Sequence, residues 1–327
     1  MTLQVPRPAL AMAASVALLV GGCGTTDDSG SDAGTNGVAA DGGLAALPAN
    51  FDLAAGSPQA FLLGLVGPEQ RAIAYGSIEL SFAYIGPVDQ PLPEPRSGLT
   101  ATATFLGVSG TQVDSGTIGP EAVPSSQARG VYATEPLTFA DPGFWEVTAS
   151  VNLDGTPAKA TAAFEVLPRH QVPAVGDTAP STAHPVLGDP AVAPAAIDSR
   201  AHTDDPIPDP ELHTTTIAAA LDHHRPLTVV ISTPTYCTSR FCGPITDTVS
   251  TLAGRYADRM VFVHLEVWSD FEKRQVNPAA AEWILSRDAE GNEPWVFVIN
   301  RTGRITHRFD NVANEAVLDA AIQEALR

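Results

Sequence analysis

Two cysteines lie where an apolar, strand-like run gives way to a helix-like segment. The run 227–232 is mostly apolar, and Cys237 and Cys242 follow it, with Gly-Pro directly after the second cysteine. The start of a helix offers unpaired N–H groups and the positive end of the helix dipole, both of which favour a thiolate. The segment therefore requires a fold in which a buried strand leads into a helix, and it makes these thiols the first candidates for chemistry.

The spacing of the two cysteines limits where Cys237 can lie if they form a disulfide. Five residues of straight helix advance about 7.5 Å, whereas the Cα atoms of a disulfide are usually about 4.4–6.8 Å apart. Either Cys237 lies in the loop before a helix that we predict over 243–257, or the first turn of that helix unwinds on oxidation. We expect Cys237 to be the nucleophile and Cys242 the resolving thiol. Arg240 is either a stabiliser of the thiolate or a solvated loop residue.

The N-terminus predicts export. Its apolar stretch, 9–20, is about a dozen residues long, which is too short to span a bilayer core of about 30 Å as a helix. The stretch ends in Val-Gly-Gly before Cys23 and resembles a bacterial lipoprotein signal peptide. The resemblance implies cleavage before Cys23, lipidation of that residue, and a body anchored to the cell membrane on its extracytoplasmic side. The alternative is an ordinary secretory signal.

Charge and cysteine count restrict the partners. The chain has 18 basic and 37 acidic residues, for a net charge of −19, and no basic patch of the kind that binds nucleic acid. If lipid occupies Cys23, Cys237 and Cys242 have only each other in an oxidising compartment. The expected partners are the membrane, through the lipid anchor, and cell-envelope proteins with thiols or disulfides. No cofactor is predicted, and the oligomeric state stays open.

Composition divides the chain into successive parts. A signal peptide over 1–22 precedes a flexible tether over 23–47, which contains too few apolar residues to form a core. An all-β region is predicted over 48–167 and an α/β region over 213–327. Between them, 168–212 is rich in proline, which removes amide donors and excludes regular helix, so we predict an extended connector.

The region 48–167 has the pattern of a β-sandwich. Short β-favouring runs are separated by Gly and Pro, and Trp145, Val147, Ala149 and Val151 alternate as in a strand with one buried face. The run 141–145, Asp-Pro-Gly-Phe-Trp, resembles the tyrosine corner of immunoglobulin-like domains and implies such a sandwich. The region lacks Cys and His, so we expect a spacer or a partner-binding surface rather than a catalytic unit.

The region 213–327 alternates strands and helices. The buried stripe Ile245, Val249, Leu252 and Tyr256 supports the helix over 243–257, and Asn314 is the expected N-cap of the last helix. The prediction is a mixed sheet covered on both faces. Helices are predicted over 214–223, 243–257, 278–286 and 314–326, and strands over 227–233, 260–267, 295–300 and 304–309.

This element order, with Cys237 after the first core strand, resembles the thioredoxin fold. Cys242-Gly-Pro resembles the core of the thioredoxin motif, and 293–303 resembles the cis-proline loop with the strand and glycine turn that follow it. The segment 172–180 resembles the lead-in common before such domains. The resemblance implies thiol–disulfide exchange through the two cysteines and a cis Glu293–Pro294 bond opposite them, where the backbone can pair with a client. The alternative is an ordinary trans proline that opens a strand.

The departures from that family leave other functions open. The cysteine gap is wider than in thioredoxins, and Ile245 stands where their second cysteine would be. The gap resembles one subset of peroxiredoxins, although Val230 replaces a proline of their pattern. A structural disulfide in a non-enzymatic binding or scaffold protein is a further alternative. So is a copper site of Cys237, Cys242 and His264, although a lone histidine on such a strand is more often a hydrogen-bonded core residue.

Overall fold

A computed structural model describes residues 43–111, 119–201, 206–285 and 291–327. These residues belong to one compact unit. Cys23 and the signal segment lie outside the described residues, so lipidation stays a prediction. Within the described ranges, no helix combines the length and the apolar character that a membrane span needs.

The first region is built of strands, as predicted, but its first strand begins at Ala45, so the last residues of the predicted tether, 23–47, belong to the sheet instead. Among the described residues its nine strands form one antiparallel sheet in the order β6-β3-β2-β7-β5-β4-β8-β9, with β1 paired to β2. Because β1 also lies against β9, the sheet folds over onto itself and encloses a core. The strands are β1 (Ala45–Pro48), β2 (Leu62–Val66), β3 (Ala72–Ala74), β4 (Ser77–Gly86), β5 (Arg96–Gly107), β6 (Glu121–Val123), β7 (Gly130–Thr134), β8 (Gly143–Leu153) and β9 (Thr156–Val166).

Aromatic rings fill this core. Phe61 lies 5.0 Å from Phe82 and 4.7 Å from Phe164, measured between ring centroids. The alternation predicted for β8 is confirmed, since Trp145 and the three apolar residues at every second position after it are buried. The indole Nε1 of Trp145 donates to the carbonyl of Asp141 at 3.0 Å, which ties the strand to the turn before it.

The second region holds a four-stranded sheet in the order β11-β10-β14-β15. Strands β10 and β11 are parallel and the other pairs antiparallel. The predicted elements are confirmed to within a few residues, whereas the hairpin β12–β13 was not predicted. The elements are α1 (Ile217–Asp222), β10 (Leu227–Ser232), α2 (Cys242–Tyr256), β11 (Val261–Glu266), β12 (Trp268–Asp270), β13 (Gln275–Val276), α3 (Pro278–Ile284), β14 (Trp295–Ile299), β15 (Ile305–Asp310) and α4 (Glu315–Ala325), and short 3₁₀ helices lie at Pro68–Gln70, Pro194–Ala196 and Pro210–His213.

Helices cover both faces of this sheet. Val230 of β10 packs with α2 and α4 on one face, and Val229 and Ile231 pack with α1 and α3 on the other. The predicted stripe of α2 is buried along its whole length. The Asn314 side chain accepts a hydrogen bond of 3.1 Å from the amide of Val317, which confirms it as the N-cap of α4.

The proline-rich connector is part of the second region's core. Its lead-in lies along the start of β15, where the amide of Ala179 donates to Gly303 and the amide of Ile305 donates to Asp177. Further on, Asp198 and Ser199 are fully buried. The connector therefore packs more tightly than the predicted extended wrap, and it delivers polar side chains to the interior.

Candidate functional site

Cys237 and Cys242 form a disulfide with their Cα atoms 6.0 Å apart. Helix α2 begins at Cys242, one residue before the predicted start, and Cys237 lies in the preceding loop. The structure therefore selects the first of the two geometries considered above. The loop keeps the Cα separation within the usual range for a disulfide, which five residues of straight helix would exceed.

The two sulfurs have different environments. Cys237 is partly exposed, whereas Cys242 is fully buried. Cys242 is the first residue of a helix of 15 residues, so backbone N–H groups and the helix dipole favour its thiolate form. The Sγ of Cys237 lies 3.3 Å from the hydroxyl of Ser239. One sulfur can thus be reached from solvent, and the other is placed to be released as a thiolate.

The start of the disulfide loop is held by the connector. The hydroxyl of Ser199 accepts from the amide of Thr235 at 3.2 Å, and the hydroxyl of Thr235 donates to the Ser199 carbonyl at 2.9 Å. The amide of Ser199 in turn donates to the Glu266 carboxylate at 2.8 Å. These bonds link β11, the connector and the loop, so the position of Cys237 depends on residues far away in the chain.

A cleft of about 470 Å³ adjoins Cys237. The β-rich region supplies one wall of this cleft, and the disulfide loop with the start of α2 supplies the other. Arg129 and Arg240 are both exposed there, one on each side. Phe241, between the cysteines, packs against an apolar cluster that includes Leu62 and Val131 of the β-rich region. The lining residues are Ser125, Ser126, Arg129, Pro234, Cys237, Arg240, Gly243 and Pro244.

An aromatic pair lies beside the loop. Tyr236 stacks on Phe271 with ring centroids 3.7 Å apart and an interplanar angle of 2°. Trp268 of β12 meets the edge of Phe271 at 5.4 Å. Because Tyr236 and Phe271 both stay partly exposed, they offer an apolar surface next to Cys237. Phe271 comes from the turn of the β12–β13 hairpin, which the sequence did not predict.

Pro294 lies at the sheet edge from which the disulfide loop leaves. The Glu293–Pro294 peptide bond is cis, as the resemblance implied. Trp295 pairs with Ile231, so Pro294 is next to the end of β10. The Pro294 carbonyl accepts from the amide of Asn311 at 2.8 Å, and proline has no N–H. The Pro294 backbone therefore has no donor to offer, and its carbonyl is already paired within the fold.

Two carboxyl groups are buried behind this edge. Burial raises the pKa of Glu293 to about 8, and the neighbouring charge of Glu266 adds to the effect. The backbone of Thr233 opposes the shift with one hydrogen bond to the Glu293 carboxylate. Burial also raises the pKa of Glu266. The sequence points to Glu293 only as the residue before Pro294, and no local motif indicates that the carboxyl groups of Glu293 and Glu266 are buried near each other.

His264 does not group with the cysteines. Its Nε2 lies 3.1 Å from the Ser232 carbonyl, and its Nδ1 faces Asp198 at 3.4 Å. The expectation of a hydrogen-bonded core histidine is thus confirmed, and the copper site with Cys237 and Cys242 gains no support. Asp198, from the connector, and His213, from the 3₁₀ helix Pro210–His213, lie beside His264, and no local sequence pattern indicates this.

Comparison of the chain with family models, with curated proteins and with solved structures finds no match. The structure itself shows a β-rich region and a smaller sheet covered by helices. The likeness to thioredoxins and to immunoglobulin-like domains rests on sequence motifs and element order alone.

Proposed function

We propose that this chain is an exported, lipid-anchored thiol–disulfide oxidoreductase that acts through Cys237 and Cys242. In this proposal 213–327 is a thioredoxin-like domain and 48–167 an immunoglobulin-like domain. The observation that carries the proposal is the unequal burial of the cystine, with Cys237 partly exposed and Cys242 buried at the start of α2. A disulfide that serves only as a brace has no need of one sulfur open to a cleft.

The exchange runs in two steps. A client thiolate attacks the Sγ of Cys237, the Cys237–Cys242 bond breaks, and the electron pair leaves on Cys242 as a thiolate that takes up a proton. A second thiolate of the same client then attacks the client sulfur that is bonded to Cys237. The client disulfide forms, and Cys237 leaves as a thiolate that takes up a proton. The client loses two electrons and two protons, and the protein gains both. The reverse sequence reduces a client disulfide.

The walls of the cleft suggest how a client is held. Arg129 and Arg240 face the space beside Cys237 in a chain whose net charge is −19. The stacked pair of Tyr236 and Phe271 adds an apolar surface. A client segment with a carboxylate and an aromatic or aliphatic side chain near its cysteine fits both features. The β-rich region contributes to this surface through Arg129, in addition to any role as a spacer.

The location of the activity depends on Cys23. Lipidation there would tether the protein outside the cytoplasmic membrane, where its cystine can persist and where envelope proteins with thiols are available. Mass spectrometry of the mature N-terminus tests this part separately. A mature chain that begins at an unmodified residue other than Cys23 would end the anchored proposal and leave the exchange chemistry untouched.

Trapping in the native envelope tests the exchange chemistry. The variant Cys242→Ser should accumulate mixed disulfides through Cys237, because the resolving thiol is missing. The matched control Cys237→Ser should accumulate far fewer, since Cys242 is buried. Clients would be released by reductant and identified by mass spectrometry.

The reduction potential separates the enzyme from a scaffold protein. We expect a value between about −270 and −120 mV, the range of known oxidoreductases. A value below about −300 mV, together with no client trapped by Cys242→Ser, would show that the cystine only braces the loop. The chain would then be better described as a binding or scaffold protein.

A further inference from the structure

Three polar side chains meet in the interior of the second region, beneath the disulfide loop. Asp198 comes from the connector, His213 ends the 3₁₀ helix Pro210–His213, and His264 lies on β11. Their exposed fractions are 0, 1 and 2%. One potential ligand atom from each lies within 4.8 Å of the others. Burying three such groups together is costly unless something satisfies them.

Hydrogen bonds satisfy the carboxylate of the cluster, but not its two imidazoles. The Nε2 of His264 lies 3.1 Å from the Ser232 carbonyl, which can only accept, so Nε2 donates there and Nδ1 faces Asp198. Within the described part of the chain, neither Nδ1 of His264 nor Nε2 of His213 has a hydrogen-bond partner. Two ring nitrogens are therefore buried and aimed at the Asp198 carboxylate without a bond to it.

The distances match the edges of a metal tetrahedron. The Oδ2 of Asp198 is 3.5 Å from Nε2 of His213 and 3.4 Å from Nδ1 of His264. Ligand atoms about 2.0–2.1 Å from a tetrahedral zinc ion lie about 3.3–3.5 Å from one another. A good N–H···O hydrogen bond is shorter, about 2.9 Å. The two distances to the Asp198 oxygen thus fit a shared ion better than a proton between the carboxylate and either ring, and the two ring nitrogens lie within 4.8 Å of each other.

The surroundings are those of a metal site. The donation from His264 to the Ser232 carbonyl is the kind of outer contact that orients a ligating imidazole. Arg200 donates to both oxygens of Asp198, at 3.0 and 2.7 Å, and fixes the plane of that carboxylate. The positive charge of Arg200 is shared with Asp209, 2.7 Å away. The cluster therefore keeps enough negative charge to accept a dication.

We propose that Asp198, His213 and His264 bind one divalent transition-metal ion of the zinc type, through Oδ2, Nε2 and Nδ1 respectively. Two imidazoles and a carboxylate form a donor set that suits zinc. The ion would join the connector to β11 and so help to hold Ser199 and the disulfide loop. The site uses neither Cys237 nor Cys242 as a ligand, so it can be tested independently of the exchange chemistry.

A third buried histidine provides the control. The ring of His184 lies near this cluster, but its Nδ1 donates to the Pro185 carbonyl at 3.0 Å and its Nε2 accepts from the amide of Ile217 at 3.1 Å. Both nitrogens are thus occupied. His184→Gln removes a buried imidazole of the same region without removing a proposed ligand.

The experiment uses the full chain in its oxidised form, alkylated without reductant so that no free thiol binds metal. Zinc is titrated in competition with a chromophoric chelator, and metal content is measured by mass spectrometry after gel filtration. We expect about one zinc ion per chain in the wild type and in His184→Gln. His213→Gln and His264→Gln should bind at least about 100-fold more weakly, as loss of one of three ligands predicts.

Two outcomes would overturn the site. A wild-type chain that binds no stoichiometric zinc would show that the gap is filled by a proton, on a His264 whose pKa is raised because the Asp198 carboxylate outweighs the effect of burial. Zinc bound equally well by His213→Gln and His264→Gln would place the ion elsewhere. If either variant fails to fold, the wild-type titration and the rise of its unfolding temperature with zinc still decide the question.

Discussion

Arg308 of β15 donates a hydrogen bond of 2.9 Å to the carboxylate of Asp52, which precedes β2 in the chain. Both side chains are largely buried, with exposed fractions of 10 and 3%. The guanidinium also lies over the ring of Trp295, 4.8 Å from its centroid. This contact joins the β-rich region to the second sheet, and removing Arg308 would leave the buried Asp52 carboxylate without its guanidinium partner.

We therefore expect Arg308→Ala to lower the free energy of unfolding by about 3–5 kcal/mol, the usual effect of breaking a buried ion pair. Urea denaturation measures this change. Arg255→Ala is the matched control, because Arg255 pairs with Glu315 and Asp319 on the surface, where solvent screens the interaction. Equal losses in the two variants would contradict the assigned importance of the buried contact.

The contact of Asp52 with Arg308 predicts that the free energy of unfolding falls at acidic pH. Burial opposes ionisation of Asp52, but the ring of His170, whose Nδ1 lies 3.3 Å from the carboxylate, and the charge of Arg308 outweigh it, and the pKa of Asp52 is lowered. A carboxyl group with a lowered pKa stabilises the fold above its unfolded pKa and loses that contribution as pH falls below about 4. The variant Asp52→Asn should be less stable at pH 6 and should lose less stability between pH 4 and pH 2. Parallel curves for the two proteins would count against this assignment.

Glu293 predicts a change of the opposite sign at higher pH. Its pKa is raised to about 8, chiefly by burial, so the folded state favours the protonated form. Its contribution to stability is complete below the unfolded pKa of about 4.3 and is lost as pH rises through about 8. The limiting slope for one such group is about 1.4 kcal/mol per pH unit, and partial exposure reduces it.

The variant Glu293→Gln should therefore match the wild type at about pH 3.5 and exceed its free energy of unfolding by about 1–3 kcal/mol at pH 8. Chemical denaturation at several pH values measures the difference. The comparison at about pH 3.5 is the internal control, because the Glu293 side chain is then mostly neutral in both the folded and the unfolded state. A constant difference at all pH values would mean that Glu293 acts through packing instead.

The aromatic core of the β-rich region predicts a large effect of truncation. Phe61 is fully buried among other phenylalanine rings, so Phe61→Ala should cost about 3–5 kcal/mol. Phe144 is 37% exposed and serves as the matched control, for which Phe144→Ala should cost much less. Thermal unfolding followed by circular dichroism distinguishes the two. A small effect at Phe61 would show that the core can collapse around the lost ring.

Exposure predicts the order in which the thiols react after reduction. Cys237 should be alkylated by iodoacetamide at least about tenfold faster than Cys242, because only Cys237 is open to solvent. Peptide mass spectrometry at short reaction times measures both rates. Equal rates would mean that reduction exposes Cys242, and they would remove the asymmetry on which the proposed mechanism depends.

Local sequence patterns predicted most of the strands and helices. The alternation after Trp145 and the stripe from Ile245 to Tyr256 were readable because a strand repeats every two residues and a helix about every 3.6. The hairpin β12–β13 was missed because its strands are short and mostly polar. The predicted start of α2 is one residue too late, because Gly243 and Pro244 are typical of the first turn of a helix whether or not Cys242 is already helical.

The candidate site divides in the same way. Cys237, Cys242 and Pro294 could be named from the sequence, since motif spacing and a strand-opening proline are local signals. Phe271, Ser199 and Glu266 could not, because each acquires its role by contacting a residue from another element. The structure of the connector was the hardest to predict. Its prolines exclude regular helix and central strand, but they do not indicate that the segment packs into the core of the second region.

The sequence by itself determined the order of elements, the two faces of the main strands and helices, and the pair of thiols at a strand-to-helix junction. Only the tertiary structure decided that Cys237 opens to a cleft walled by the β-rich region, and that Asp198 and His213 lie beside His264. Periodicity and motif spacing reflect backbone geometry over a few residues. Contacts between distant residues depend on strand register and on how the whole chain packs, which no short stretch encodes.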